Sequence, residues 1–189
     1  MLLFYFDCVS LYPSQMMMRL PVSDFYVLTS QELEQFPPYE ELEDDSDTGY
    51  YICADFRFPP STHRFFNDFG LLPVKRQVSF DELSPFSQDL HRRLGKLGAN
   101  PEAWKSNEKL ICDVNDRIEY YCHYRHLKLA KKLGVLVSRP HQVIRFKQKE
   151  VFSEFLTKCF NARGATDDEF KRYLYKLSMV SCFGKTIQK

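Results

Sequence analysis

Residues 50 to 58 alternate between two sets of side chains, with a period of two that fits a β-strand and not a helix. One set is apolar and consists of Tyr50, Ile52, Ala54, Phe56 and Phe58. The set between them is mixed and consists of Tyr51, Cys53, Asp55 and Arg57. Successive side chains of a strand point to opposite faces, so the stretch predicts a half-buried strand, which Pro59 and Pro60 end.

Helical periodicity is strongest near the end of the chain. Apolar residues with the spacing i, i+3, i+4, i+7 and i+8 predict one helix: Phe152, Phe155, Leu156, Cys159 and Phe160. Thr166 and Glu169 fit a capping box, which predicts a second helix from Asp167 to Gly184. The face of this helix expected to point inward holds Phe170, Tyr173, Leu174 and Leu177.

The remaining elements are shorter. Residues 2–7 predict a buried strand, and Tyr12-Pro13 forces a turn before a short helical piece over residues 14–19. A helix is predicted from a cap at Asp113 or Asn115 to Leu133, where Gly134 ends it. Strands are predicted over residues 135–137 and 142–146, and loops with short elements over residues 61–109. These elements together predict an α+β fold.

Charge is distributed unevenly, although the net charge is only +1. Residues 31–50 hold eight acidic residues and no Lys or Arg, whereas residues 121–189 hold 15 basic and five acidic residues, a balance of +10. A basic half suits a polyanionic partner. Lysines and arginines that only solvate helices would give the same count, so charge alone leaves both interpretations open.

The cysteines and the early apolar run allow a prediction of the cellular compartment of the protein. Six cysteines are scattered without a Cys-x-x-Cys pair, which predicts free, mostly buried thiols rather than a zinc ribbon or a disulfide framework. The run from Leu2 to Phe6 is too short for a signal-peptide core or a membrane span. We therefore expect an intracellular protein without a membrane partner, and the nucleus is one compartment that it could occupy.

Asp7 follows that apolar run and precedes the turn Val9-Ser10-Leu11-Tyr12. A carboxylate at a strand end can hold Mg²⁺ in a phosphoryl-transfer site, because this hard ion prefers oxygen ligands. Successive backbone N–H groups of the turn could cradle a triphosphate, and the Tyr12 ring, fixed by Pro13, could exclude a 2′-hydroxyl. Simple capping of the turn by Asp7 is the alternative interpretation.

A second constellation lies on the last predicted helix. At about 100° per residue, Arg172, Lys176, Val180 and Phe183 share one stripe, with Gly184 beyond them. Two cations and an aromatic ring on one stripe could hold a phosphate chain and stack a base. A solvated face with a core phenylalanine would give the same pattern.

These two stretches carry a family resemblance. FDCVSLYPSQM, residues 6–16, closely resembles motif A of family B DNA polymerases, Asp-x-x-Ser-Leu-Tyr-Pro-Ser. KLSMVSCFGK, residues 176–185, resembles their motif B, Lys-x-x-x-Asn-Ser-x-Tyr-Gly, with Val180 at the Asn position and Phe183 at the Tyr position. The stretches YYCHYRHLKLAKKLGV and HQVIRFKQ between them resemble the protein-primed branch of organellar and viral type B polymerases, above all the Polinton (Maverick) type of animal DNA transposons.

The resemblance implies roles for the residues of motif A. Asp7 would be the catalytic residue that ligates two Mg²⁺ ions, with the main-chain carbonyl of Cys8 as a further ligand. Ser10 and Leu11 would line the dNTP pocket. Tyr12 would be the steric gate against ribonucleotides.

For motif B the resemblance implies contacts with the incoming nucleotide. Arg172 and Lys176 would bind its phosphates. Ser181, Phe183 and Gly184 would flank the nascent base pair. Val180 cannot make the hydrogen bonds of an Asn amide, and Phe183 lacks the tyrosine hydroxyl.

The resemblance also implies a domain organisation: a palm segment over residues 1–22, an inter-motif insertion over 23–146 and helical fingers over 147–189. The family's second catalytic aspartate belongs to a later Tyr-x-Asp-Thr-Asp motif, which the 189 residues do not contain. We therefore expect a fragment of a DNA-directed DNA polymerase of a mobile or viral element, inactive alone. Its partners would be DNA template and primer, dNTP and a terminal protein.

The sequence also leaves other functions open. A non-catalytic module that binds nucleic acid or a terminal protein is the second hypothesis, and a generic RNA-binding domain is a third, which motif A disfavours. Asp47-Thr48-Gly49 matches the aspartic-protease triplet but lacks a preceding apolar strand. Cys122, His123 and His126 could suggest a zinc site, but these ligands are all local, and in the predicted helix they can simply pack or face solvent, which disfavours zinc. His141 is interpreted as a loop or core residue.

Overall fold

A computed structural model describes residues 10–96, 108–186 and 188 of the chain. The strand predicted over residues 2–7 lies outside the described residues. The chain divides into two compact units. The first takes its residues from Met1–Ala54, Glu119–Lys128 and Pro140–Lys189, and the second from Asp55–Ile118 and Leu129–Arg139. The domain boundaries implied by the family resemblance remain a prediction.

The described residues mix helices and strands, which confirms the predicted α+β class. The α-helices are α1 (Leu11–Met16), α2 (Ser30–Glu34), α3 (Pro60–Asp68), α4 (Pro85–Lys96), α5 (Tyr124–Lys132), α6 (Ser153–Gly164) and α7 (Glu169–Thr186). The strands are β1 (Leu20–Val27), β2 (Thr48–Arg57), β3 (Val74–Arg76), β4 (Lys109–Ile111), β5 (Arg117–His123), β6 (Leu136–Val137) and β7 (Gln142–Lys149). Short 3-10 helices span Tyr39–Glu41 and Phe80–Glu82.

The larger sheet has the order β1-β7-β2-β5, and β6 pairs with the end of β2. Strand β7 pairs antiparallel with β1 on one side and with β2 on the other. The alternating stretch at residues 50–58 is thus confirmed as a strand, as are the two strands predicted before and after Arg139-Pro140. Ile52 and Phe56 of β2 are completely buried, as the alternation requires.

The first unit contains a close approach at Gly49. A Cβ at this position would lie 2.6 Å from the Gln148 Oε1 and against the Phe146 ring, so the strand pair needs glycine there. The Nε2 of buried Gln148 donates to the Ser46 carbonyl at 2.7 Å and to the Tyr124 hydroxyl at 3.2 Å. These bonds tie the loop that carries the acidic run to the sheet.

The second unit is organised around buried Arg117. Its guanidinium donates to the Leu72 carbonyl at 3.0 Å and to an Asp113 carboxylate oxygen at 2.8 Å. The same guanidinium lies 5.7 Å from the centre of the Phe58 ring, which in turn packs edge-on against Phe66. A buried charge needs such partners, because an unpaired one would be strongly destabilising.

The helix predicted from Asp113 or Asn115 to Leu133 is wrong in its first half. The structure has strand β5 there, and helix α5 begins only at Tyr124. Ile118 and Tyr121 favour a strand, and pairing with β2 satisfies backbone groups that a helix would satisfy locally. The predicted end is confirmed, since Gly134 follows α5 with a φ of 92° that glycine adopts readily.

The second predicted fingers helix is confirmed as α7, but its cap and its inward face differ. Asp168 caps it: the carboxylate accepts hydrogen bonds from the backbone N–H groups of Phe170 and Lys171 at 2.9 and 3.2 Å. An ionised carboxylate suits the helix N-terminus better than the predicted Thr166 hydroxyl does. The face predicted to be buried is exposed: Phe170, Tyr173, Leu174 and Leu177. Met179 is the buried residue of α7 instead.

The smaller motifs have structural explanations. Asp47 of the Asp-Thr-Gly triplet pairs with Arg19, and Gly49 packs against Phe146. Within the described part of the chain, no group of three or more His, Cys, Asp or Glu side chains could hold a metal ion, so Cys122, His123 and His126 form no zinc site. Cys53, Cys122 and Cys159 are buried free thiols, as predicted; Cys112 is exposed.

We expect the stability of the first unit to depend on the protonation of His123. Burial, followed by the nearby positive charge of Arg125, lowers the pKa of His123 from 6.5 to about 4. The folded state therefore binds fewer protons than the unfolded state between these values, so the free energy of unfolding should fall as the pH drops from about 6.5 to about 4. Urea unfolding at a series of pH values measures this. An NMR titration that places the His123 pKa near 6.5 would contradict it.

Candidate functional site

The turn that begins α1 has an unusual backbone conformation. Ser10 lies in the left-handed region with φ 56° and ψ 40°, and Leu11 starts the helix directly after it. A left-handed residue followed by a right-handed one directs successive N–H groups into a shared concavity that suits an anion. Among the described residues no side chain caps this helix, so none of them occupies its first N–H groups.

Helix α1 is held against α6 and α7 by a small apolar core. Met16 of α1 packs with Leu156 and Cys159 of α6 and with Met179 of α7. Each of these four side chains is at least nine-tenths buried. The core fixes the position of α1 relative to the last helix. Its residues were missed as determinants of the site, although Met16 stands one turn after Pro13 in a pattern that indicates a packed helix face.

The predicted stripe on α7 is present and accessible. Arg172, Lys176, Val180 and Phe183 are all exposed. Among residues 10–96, 108–186 and 188, the side chains of Arg172 and Lys176 have no hydrogen-bond or ion-pair partner, whereas neighbouring Lys171 lies 3.9 Å from the Asp168 carboxylate. Arg172 and Lys176 are one helical turn apart, about 6 Å along the axis. Two available cations at this spacing can bind neighbouring phosphates.

Two predicted site residues from opposite ends of the sequence are in contact. The rings of Tyr12 and Phe183 lie 4.5 Å apart between centroids, tilted by 35°. Both rings keep a solvent-facing surface, with exposed fractions of 54% and 40%. The turn of Ser10 and the cationic stripe of α7 therefore border one accessible surface, with this aromatic pair between them.

The other predicted site residues are less directly engaged. Leu11 is exposed at the start of α1. The Ser181 hydroxyl donates to the Ser178 carbonyl of its own helix at 3.0 Å. A Cβ at Gly184 would have no neighbour within 4 Å, so open space surrounds this position. Leu11 and Ser181 therefore belong to the candidate site only through their positions on α1 and α7.

Asp7 and Cys8, the predicted metal ligands, lie outside the described residues. No described cluster offers a substitute set of carboxylate, thiol and imidazole ligands. The described residues therefore contain no ligand set for the two-metal site that the resemblance implies, and the roles of Asp7 and Cys8 stay a prediction. No described helix is long and apolar enough to cross a membrane.

Comparisons with known proteins agree with the motifs. The family model "DNA polymerase type B, organellar and viral" matches residues 2–189. A solved structure titled "Phi29 DNA Polymerase, orthorhombic crystal form" is similar with a TM-score of 0.49 and 16% sequence identity. The similarity covers 95% of this chain but only 25% of the length of that polymerase. A search of curated proteins found no match.

Proposed function

Because the chain belongs to the organellar and viral type B DNA polymerases, we propose that it supplies the nucleotide-binding part of a DNA-directed DNA polymerase. The observation that carries this proposal is the contact between Tyr12 and Phe183. It joins the turn of motif A to the cationic stripe of motif B. A nucleotide needs both, because its phosphates require cations and N–H donors while its sugar and base require apolar surface.

Each part of the surface has a proposed task. Arg172 and Lys176 bind the phosphates of a dNTP, and the N–H groups that follow Ser10 bind further phosphate oxygens. The Tyr12 ring limits the space at the sugar, and Phe183 supports that ring from the side. Ser181 and Gly184 lie beside the nascent base pair.

The proposed reaction is nucleotide transfer. The 3′-hydroxyl of a primer, or a hydroxyl of a terminal protein, releases its proton to solvent, and its oxygen forms a new bond to the α-phosphorus of the dNTP. The bond from that phosphorus to the bridging oxygen breaks, and pyrophosphate leaves with the bond electrons. When bound by Asp7 and the Cys8 carbonyl, Mg²⁺ would supply charge stabilisation at the phosphates. The described residues contribute phosphate binding and orientation, since they contain no ligand set for the metal.

Within that enzyme, residues 1–22 would belong to the palm, residues 23–146 to an insertion and residues 147–189 to the fingers. We place the enzyme in the protein-primed branch of a mobile or viral element, acting with DNA and a terminal protein, in the nucleus or elsewhere inside the cell. We also propose that these 189 residues alone do not polymerise, and template-dependent dNTP incorporation by the isolated chain would contradict this.

A second candidate function is a binding module without catalysis. Val180 favours it: this exposed side chain lies on the nucleotide stripe and cannot hydrogen-bond to a base or sugar. The balance of +10 over residues 121–189 would still attract nucleic acid. Such a module would bind DNA in the same way after Asp7→Ala, whereas a polymerase carrying that change would lose incorporation and keep its DNA affinity.

Nucleotide binding by the chain tests the first proposal. We expect Arg172→Ala and Lys176→Ala each to weaken dNTP binding about tenfold or more, because each removes a charged hydrogen bond to phosphate. Isothermal titration calorimetry with dATP in the presence of Mg²⁺ measures the change.

Lys171→Ala is the matched control, since Lys171 is the neighbouring cation but lies beside Asp168 and off the stripe. It should leave dNTP binding nearly unchanged. Equal losses in all three variants would show binding through general charge and would contradict the assigned site. No binding by the unaltered chain would remove the nucleotide-binding proposal itself.

A further inference from the structure

We propose that Arg19 is a positioning residue for the candidate nucleotide site: its guanidinium fixes the end of helix α1 and thereby sets the affinity of the site for dNTP. The inference rests on the proposed function, and it assigns a task to a residue that lies outside both motifs. Arg19 belongs to the short segment between α1, which ends at Met16, and β1, which begins at Leu20. It therefore lies at the end of α1 opposite Ser10.

The Arg19 guanidinium is held between two carboxylates of the acidic run. Its Nε donates to the Asp45 carboxylate at 2.8 Å, and its Nη1 donates to the Asp47 carboxylate. Only 23% of the Arg19 side chain is exposed, whereas both carboxylates are largely open to solvent. A planar guanidinium can bond two carboxylates at once and stays charged, so it suits a fixed link. A side chain engaged in this way acts on a nucleotide through α1 and not by direct contact.

The loop that carries these carboxylates is itself anchored. Between the two aspartates, the Ser46 carbonyl accepts a hydrogen bond from the Gln148 Nε2 at 2.7 Å, and the Gln148 backbone N–H donates to the Asp47 carbonyl at 2.9 Å. The Asp44 carboxylate of the same loop accepts from the Lys128 Nζ at 2.7 Å. Because Gln148 belongs to β7 and Lys128 to α5, Arg19 is attached to a loop that the sheet and a helix hold in place.

Helix α1 needs such an anchor because it is short. Its six residues are too few for a helix that is stable by itself, so contacts with the rest of the unit decide where it lies. Two of these contacts are apolar: Met16 packs into the core with α6 and α7, and the Tyr12 ring meets Phe183. Apolar contacts are not directional, whereas charged hydrogen bonds have a defined geometry. Arg19 therefore supplies a directional link that fixes how α1, with Ser10 at its start, faces the cations of α7.

Isothermal titration calorimetry with dATP and Mg²⁺ tests the assignment. We expect Arg19→Ala to weaken dATP binding at least about threefold, within the range that ion pairs of this kind contribute. Arg19→Asp should weaken binding further, because it places a third carboxylate beside Asp45 and Asp47. The double variant Arg19→Asp with Asp45→Arg exchanges the two charges. It should bind dATP more tightly than Arg19→Asp alone, since residues in one ion-pair network do not act additively.

Lys147→Ala is the matched control. Lys147 forms an ion pair with Asp24 at 2.7 Å in the same unit, but this pair joins β7 to β1 and not α1 to the acidic run. Its loss should leave dATP affinity unchanged. Urea unfolding should show similarly small losses of stability for Lys147→Ala and Arg19→Ala, because both remove ion pairs with exposed carboxylates. A loss of affinity in Arg19→Ala alone then reports the position of α1 and not the fraction of folded chain.

Hydrogen exchange adds a measurement that does not depend on nucleotide. The backbone amide of Met17, which bonds to the Pro13 carbonyl at the end of α1, should exchange faster in Arg19→Ala than in Lys147→Ala. Unchanged dATP affinity in Arg19→Ala, unchanged exchange there, or no recovery after the charge exchange would overturn the inference and leave the proposed function intact. No dATP binding by the unaltered chain would instead remove the proposed function, and with it the link from α1 to nucleotide affinity.

Discussion

Replacing Leu156 with alanine is expected to lower the free energy of unfolding of the first unit by about 2–5 kcal/mol. Leu156 is completely buried and touches the core that Met16, Cys159 and Met179 form between three helices. Truncation removes apolar contact and leaves a cavity that the neighbouring helices cannot fully close. Urea unfolding followed by far-UV circular dichroism measures the loss.

The same change should also weaken dNTP binding, although Leu156 does not line the candidate site. The core fixes α1 against α7, and the site consists of side chains from both helices. Phe155→Ala is the matched control, because Phe155 is the preceding residue of the same helix and is exposed; it should change stability by no more than about 0.5 kcal/mol. Equal effects of the two changes would show that the four-residue core does not hold these helices together.

The sequence allowed the strands with clear alternation and the helices with clear periodicity to be predicted. Strand β2 follows from its local pattern because its neighbours bury Ile52 and Phe56. Helix α6 was predicted from its periodicity, but only Leu156 and Cys159 of the predicted apolar face are buried, whereas Phe155 and Phe160 are exposed. Strand β5 could not be predicted in this way. Its residues satisfy their backbone groups by pairing with β2, which is distant in sequence, and no local signal reports such a partner.

The inward face of α7 was predicted wrongly for a related physical reason. Phe170, Tyr173, Leu174 and Leu177 have the spacing of a core stripe, and a core stripe and an exposed binding stripe are identical in sequence. What decides between them is the orientation of the helix. Met16 and Leu156 pack against Met179 and so turn the other side of α7 inward.

For the candidate site too, the sequence motifs predicted some features, and only the structure shows the others. The family resemblance placed both Tyr12 and Phe183 at the nucleotide, and the structure brings their rings together. The left-handed conformation of Ser10 could not be predicted, because a serine seldom adopts a positive φ and no glycine marks the position.

In the DNA polymerase that we propose, Tyr12→Val is expected to reduce the preference for dNTP over rNTP by roughly 10- to 200-fold, the range that steric rejection of one small group supplies. The Tyr12 ring has a solvent-facing surface and is restrained on one side by Phe183. Buried Pro13 fixes the backbone directly after it. The ring therefore cannot move aside easily for a 2′-hydroxyl, and the smaller valine would leave the space open. The ratio of kcat/KM for the two nucleotide classes measures the change.

Tyr12→Phe separates the contribution of the ring from that of the hydroxyl. It keeps the aromatic surface that meets Phe183 at 4.5 Å and should therefore keep nearly the full preference for dNTP. If both variants lose the preference for dNTP, the discrimination depends on the Tyr12 hydroxyl and its hydrogen bonds. A clash with the ring would not need that hydroxyl. An unchanged preference in both would place the sugar away from Tyr12, and the aromatic pair would then serve only to join α1 to α7.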